Sequence, residues 1–497
     1  MKPSLIVSLT VVALCGLSTR VSATELDDLK AQMQLMQKSM EQMQQKIADL
    51  ERENSKQKQA QSTTRTKATT SAPAAPAEGP AAAPPLMTAD GTEVVTIAPS
   101  AVTIQGRASE VRQRDAHNDQ QEAVPRPNDL TLDPQYRGFV PIPNTPIIIK
   151  FNAKPHLDFV DDAENTGNND RFVTATIPVD GDFFKNGGNQ FNVNSKGSQL
   201  SIDVRAPDVA GHPRFYFQND FFGSGNNEYN FRVRQLYGEI YNVVIGQTFS
   251  VFEDPDAWPD TVDYEGPNSA VFARRPLVKY QLPLNKNWQL SFGVEKPSSE
   301  VDTSIDGGAR SVNHAPDGGF NIRYEDSAIG HVQFGAIFRD IGVKGPLVGS
   351  QSTFGWGLNL AGSFNLTKMD TVQAQVTYGE GLFRYFNDDF INNDAAFDES
   401  GDLKAIPAFG AMIGYTHKWT DYLRSTASYG YVHLDNQFSQ GPGAYHQTHY
   451  GSLNVVWQLR KRLSVGLEAL YGHKETQGGA DGDAFRLQLG IVYSLFD

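Results

Sequence analysis

The run Glu253-Asp-Pro-Asp-Ala-Trp-Pro-Asp-Thr-Val-Asp-Tyr-Glu-Gly-Pro267 separates two segments of alternating apolar and polar residues. Its six carboxylates, on Glu253, Asp254, Asp256, Asp260, Asp263 and Glu265, and its three prolines make it acidic and stiff. The polar phase of the alternating segments carries Arg205, Arg214, Arg232, Arg234, Arg275, Lys279, Arg323 and Arg339. The chemistry open to such a set is electrostatic. An acidic loop folded inward against a basic wall would set a transverse field across a narrow aperture in a low-dielectric ring. Anionic solutes would be drawn to the arginine side and held there by bidentate hydrogen bonds. The same cations could also pair with the acids simply to support the wall, and the two readings are compatible.

Covalent catalysis has no comparable signal. His446 and His449 are three residues apart, which on a strand places them on opposite faces and makes them a poor metal pair. No Ser/His grouping of the kind that a hydrolase needs stands out. Asp-Gly pairs such as Asp306-Gly and Asp317-Gly read as turns before they read as Ca²⁺ sites. The expectation is a non-enzyme without metal or cofactor.

Strands must position the charged residues. In residues 147–159, Ile147, Ile149, Phe151, Ala153, Leu157 and Phe159 alternate with Lys150, Asn152, Lys154, His156 and Asp158. One face suits lipid and the other water. The pattern recurs at Val332 to Phe338, Phe354 to Leu360, Leu453 to Leu459, Leu463 to Leu467 and Phe485 to Leu495, with small and polar residues on the second face. Gly-containing turns separate the segments, and short connections alternate with long polar ones. Seventeen candidate strands follow residue 145. The segment 172–178 ends in a proline between Asp/Asn/Gly-rich stretches and is better placed in the first long loop, which leaves sixteen. The fold class expected is all-β, a 16-stranded antiparallel transmembrane β-barrel with an aqueous lumen.

The N-terminal third reads differently. Residues 1–23 form a signal peptide: Lys2, an apolar stretch from Leu5 to Leu17, then Val21-Ser22-Ala23. The only cysteine, Cys15, lies inside it. Residues 24–54 carry Leu26, Leu29, Met33, Met36, Met40, Met43, Ile47 and Leu50 at alternating spacings of three and four, the seam of an α-helical coiled coil. Residues 55–128 are an Ala/Pro/Thr-rich flexible linker, and 129–497 form the barrel. Lys56, Lys58, Arg65 and Lys67 suit an anionic cell-wall polymer such as peptidoglycan, although a solvated linker charge is the stronger reading. A net charge of −14 argues against nucleic acid as a partner.

Gly246-Gln-Thr-Phe-Ser-Val-Phe252, Pro259-Asp-Thr-Val-Asp-Tyr-Glu-Gly-Pro-Asn-Ser-Ala-Val-Phe-Ala-Arg-Arg275, Gly379-Glu-Gly381 and Tyr471-Gly-His-Lys-Glu followed by Gly482-Asp-Ala-Phe-Arg-Leu-Gln-Leu resemble the DcaP-like family of outer-membrane porins over about residues 130 to 495. The coiled-coil start is similar too. The resemblance implies a homotrimeric channel in the outer membrane of a Gram-negative cell, its N-terminal region in the periplasm, surrounded by outer-membrane lipid and taking up small anionic molecules, dicarboxylic acids above all. A sugar-specific or general diffusion porin, or an envelope tether with a pore, is the alternative.

Overall fold

The computed structural model describes residues 136, 138–185, 187–224, 228–388 and 393–495. The signal peptide, coiled coil and linker expected for 1–23, 24–54 and 55–128 lie outside the described residues.

Alternation becomes two physically different faces. Along Asp370–Glu380, Leu463–Thr476 and Asp481–Tyr493, exposure switches residue by residue. Phe151, Leu360, Leu453 and Trp457 are exposed, Trp457 to 56%, while Asp158, Gln375, Glu468 and Arg486 on the other phase are buried, Arg486 completely. An aqueous globule would invert this arrangement; a sheet whose outer face meets hydrocarbon produces it. Near the short turns the exposed face carries Tyr241, Trp288, Trp419 and Tyr422, aromatic types suited to a membrane interface.

Strand pairing is antiparallel and follows chain order from Gln199–Arg205 onward, through Arg214–Asp220 and Arg232–Ile240 to Leu463–Thr476 and Asp481–Tyr493. Asp481–Tyr493 then pairs with His156–Asp162, Arg486 standing opposite Asp162. The first alternating segment is broken into Ile148–Lys154 and His156–Asp162 at Pro155, which has no N–H to give the ladder. Opposite it, Gln190–Asn194 and Gln199–Arg205 are interrupted in the same place. Ser198 Oγ closes the gap by accepting from His156 N at 3.0 Å. Gln190–Asn194 extends further than the alternation predicts, since only Phe191 and Val193 in it are apolar.

Connections are short at one end and mostly long at the other. Tyr241 and Asn242 make a two-residue turn with φ of 48° and 69°, both in the left-handed region that such hairpins require. The connections 163–189, 250–273 and 381–406 are long; Phe172 and Ile177 of the first, Val251 and Phe252 of the second and Leu382 and Phe383 of the third are buried, while Phe183 and Phe184 are exposed. Segment 172–178 is not a strand: Thr174–Thr176 is a 3-10 turn, with Phe172, Ala175 and Ile177 buried. Helical geometry among the described residues is confined to such short turns, Pro255–Ala257 and Phe383–Tyr385 among them.

Part of the small-residue pattern has a steric origin. Glycines on the covered face, expected to border water, make room for the inward loops. A Cβ on Gly414 would lie 2.6 Å from Pro259, and one on Gly466 would lie 2.5 Å from Val262. At these positions the absent side chain is space for residues 250–273.

Candidate functional site

Loop 250–273 leaves the strand Val243–Phe249 and returns into Arg274–Pro283. Pro255–Ala257 forms a rigid turn capped by the Asp254 carboxylate, which accepts from Asp256 N at 3.3 Å. Further on, Asp263 Oδ2 accepts from Glu265 N at 2.9 Å and Gly266 N at 3.3 Å, folding the backbone around one carboxyl. Gly266 has φ 77°, the left-handed conformation that glycine adopts without strain.

The acids fasten this loop to distant strands. Arg323 donates to Asp254 at 3.0 Å and to Asp256 at 2.8 Å, and His331 Nε2 lies 2.9 Å from the other Asp254 oxygen. Arg424 pairs with Asp260, and Asn454 donates to the Asp260 carbonyl at 2.7 Å. Glu468 accepts from Val262 N and Asp263 N at 2.9 and 2.6 Å. Glu265 pairs with Arg171 at 2.6 Å, and Tyr264 donates to Asp220 at 2.8 Å. The loop therefore spans from its own hairpin to strands far along the pairing order.

Burial and charge set the loop's protonation. Glu253 is buried, with no cation hydrogen-bonded to it among the described residues; Ala273 N donates to one oxygen at 2.9 Å, and burial pushes the carboxyl up to about 8. Burial also raises Asp263 to about 6, against the pull of Arg486. Burial would raise Asp254 likewise, but His331 and Arg323 hold it well below the usual carboxylate range.

The cations expected to form a basic wall divide into groups. Arg205 and Arg214 share Asp203, Arg214 at 3.0 and 2.8 Å. Arg323 holds the acidic loop. Arg275 lies 3.6 Å from Glu295, Lys279 donates to the Phe249 carbonyl at 3.4 Å, and Arg339 joins Asp317 to Asp394 of loop 381–406. Only Arg232 and Arg234, which share Asp220, border the cavity beside loop 250–273.

That cavity, together with the open solvent at its mouth, measures about 1150 Å³. Six cations line it, Lys154, Arg171, Arg232, Arg234, Arg274 and Arg424, against the carboxylates of Asp260, Asp263 and Glu265. Arg274 differs from the rest. Its guanidinium lies over Phe272 at 4.4 Å and Phe249 at 5.5 Å, and its buried Nε has no hydrogen-bond partner among the described residues. Trp258, Tyr264 and Phe272 complete the wall.

Sequence reasoning missed Lys154, Arg171, Arg274 and Arg424 as cavity residues. Lys154 and Arg424 hold the polar phase of their strands, so the rule that selected Arg232 would have selected them. Arg274 opens its strand, where loop geometry and not alternation sets direction. Arg171 lies in a loop and carries no local signal. The acidic Asp394 and aromatic Tyr385 of loop 381–406 were also missed; Tyr385 donates to Glu295 at 2.7 Å and Asp317 at 2.9 Å.

The family model described as DcaP outer membrane protein matches residues 102–495. The crystal structure of the outer membrane channel DcaP of Acinetobacter baumannii aligns with a TM-score of 0.63 and 20% identity, over 70% of this chain and 97% of that one. An anion-selective porin from Comamonas acidovorans aligns at 0.46 and 13% identity, over 70% and 100% of the two chains. OprB of Pseudomonas putida aligns at 0.43 and 9% identity, over 70% and 94%. No curated protein matches the chain.

Proposed function

Because the chain belongs to the DcaP outer membrane protein family, we propose that it is a porin for passive diffusion of small hydrophilic solutes that favours anions such as dicarboxylates. Its strands close a barrel of sixteen, the two interrupted pairs each counting as one strand, around an aqueous lumen narrowed by loop 250–273. The ladder between Asp481–Tyr493 and His156–Asp162 supports closure, and the outward apolar face supports a lipid surround. In this reading the protein is a channel and not an enzyme.

The observation that carries the anion preference is the charge around the cavity: six cations line it against three carboxylates, Asp220 behind Arg232 and Arg234 is a fourth, and the Nε of Arg274 has no hydrogen-bond partner among the described residues. Asp260 and Glu265 are neutralised by Arg424 and Arg171. The loop acids thus act mainly as anchors, and the excess positive potential faces the solute. Guanidinium groups offer paired N–H donors that match a carboxylate, and several such sites along a passage give capture without a single deep trap.

A sugar channel would need open aromatic faces. Tyr264 lies under Arg234 at 5.1 Å and against Phe222 at 4.7 Å, and Phe272 is covered by Arg274, so these rings back the cations instead of forming a slide. The working unit is a homotrimer in which the heptad seam of 24–54 joins three chains, as the family resemblance implies. Proteoliposome uptake tests the proposal: succinate is expected to enter faster than an uncharged solute of similar size, and equal or slower entry would overturn it.

A further inference from the structure

Four of the chain's ten histidines, His433, His446, His449 and His473, gather on neighbouring strands close to the long-connection end. His449 stands opposite His473, and His473 stands opposite Asp483, so three adjacent strands present their side chains in a row. The two imidazoles are 5.8 Å apart between centroids, and Tyr431 lies against His449 at 4.8 Å. Strict alternation separates His446 from His449 by face. A bulge between Tyr445 and Gln447 disturbs that register and brings the His446 ring to 4.7 Å from His433, whose own neighbour Tyr431 contacts His449. The histidine pair read from the sequence as unsuited to a metal therefore belongs to one connected cluster.

At the edge of this cluster, ligand atoms of His473, Asp481 and Asp483 all lie within 4.8 Å of one another. His473 Nδ1 is 2.9 Å from Asp483 Oδ1, and Tyr471 donates to the same oxygen at 2.5 Å, which holds that carboxylate in place. Asp481 opens the strand Asp481–Tyr493, and His473 is three residues from the end of Leu463–Thr476, so the group stands at the rim with Asp483 exposed.

We propose that His473, Asp481 and Asp483, with His449 as a fourth donor, form a binding site for a divalent transition cation of the zinc class on the outer wall. Two imidazoles and two carboxylates suit a four-coordinate zinc-like ion, whereas Mg²⁺ and Ca²⁺ prefer six or more oxygens. Ligation uses the His473 and Asp483 groups now joined by a hydrogen bond: the neutral imidazole carries its proton on Nε2, Nδ1 gives its lone pair to the cation, and the cation stands where the hydrogen bond was. Binding then clips together the three strands that close the pairing order. It is independent of the permeation reading, since the site is outside the cavity.

The test is calorimetric titration of Zn²⁺ into the purified full-length protein in detergent, previously stripped with chelator. One ion per chain is expected, with affinity lowered at least tenfold by His473→Ala and by Asp483→Asn and unchanged by His314→Ala, whose imidazole pairs with Asp340 elsewhere. Heat-modifiable gel migration identifies variants that remain folded, and Asp481→Asn, at the half-buried third ligand, replaces any that do not. Absence of binding, binding indifferent to these substitutions, or Mg²⁺ competing equally with Zn²⁺ would overturn the assignment.

Discussion

Arg323 Nη1 donates to Asp254 Oδ1 at 3.0 Å with both side chains almost wholly removed from water. The pair joins the strand Asp317–Asp326 to an acidic loop that begins some seventy residues earlier in the chain. Arg323 also binds Asp256, and His331 takes the remaining Asp254 oxygen, so one carboxylate is fixed from two neighbouring strands. Removing one member of a buried pair costs about 3–5 kcal/mol because its partner is left charged and unpaired. Arg323→Gln should therefore release the first half of the loop. Single-channel recordings should show larger and noisier conductance, while the migration of the folded barrel on unheated gels stays unchanged.

Glu253 gives a pH dependence with a defined sign. Its carboxyl is raised by burial to about 8, so the folded loop binds the proton more tightly than the unfolded chain. The resulting stabilisation is fully present below the ordinary value of 4.5 and is lost as pH rises through about 8. Asp263, raised to about 6, adds in the same direction at lower pH. Thermal unfolding should accordingly fall in temperature between neutral and mildly alkaline solution, and Glu253→Gln should flatten the upper part of that dependence.

Gly414 and Gly466 test the fit between loop and wall. A Cβ at either position meets Pro259 or Val262 at 2.6 or 2.5 Å. Gly466→Val should displace the loop at a cost of roughly 1–3 kcal/mol. The measurable result is altered conductance in a barrel that still assembles; unchanged conductance would mean that the loop does not narrow the passage.

Arg274 isolates charge from support. Its Nε has no hydrogen-bond partner among the described residues, so Arg274→Gln removes a charge that acts on Glu253, Asp220 and Glu265 through space and breaks no hydrogen bond at Nε. It should roughly halve the anion-to-cation permeability ratio at low salt, less at high salt, and leave the melting temperature within a degree or two.

The architecture was legible where one physical rule acts at a time. Alternation across 147–159 assigned Phe151 and Leu157 to the exposed face and Lys154 and Asp158 to the covered one, as found. The proline and polar flanks of 172–178 marked it as loop. The acidic run at 253–267 and its arginine counterparts were visible by composition, but which arginine meets which acid depends on how the loop crosses the sheet. Arg323 and Arg232 have the same phase and different tasks, one gripping the loop and the other bordering the cavity. Leu382, Phe383 and Phe386 pack with Val173 and Tyr445, contacts between segments far apart in sequence that no local period encodes. The glycines at 414 and 466 gave a true signal of small size, yet the occupant of the space lay elsewhere in the chain.

The most direct measurement is the zero-current potential of the purified protein in a planar bilayer under a KCl gradient, followed by addition of succinate. An excess of cations at the narrowing predicts a potential of the sign given by chloride selectivity and a concentration-dependent reduction of current by succinate. Cation selectivity with no succinate effect would contradict the account, because the loop acids and the net negative charge, not the arginine-lined cavity, would then govern what passes.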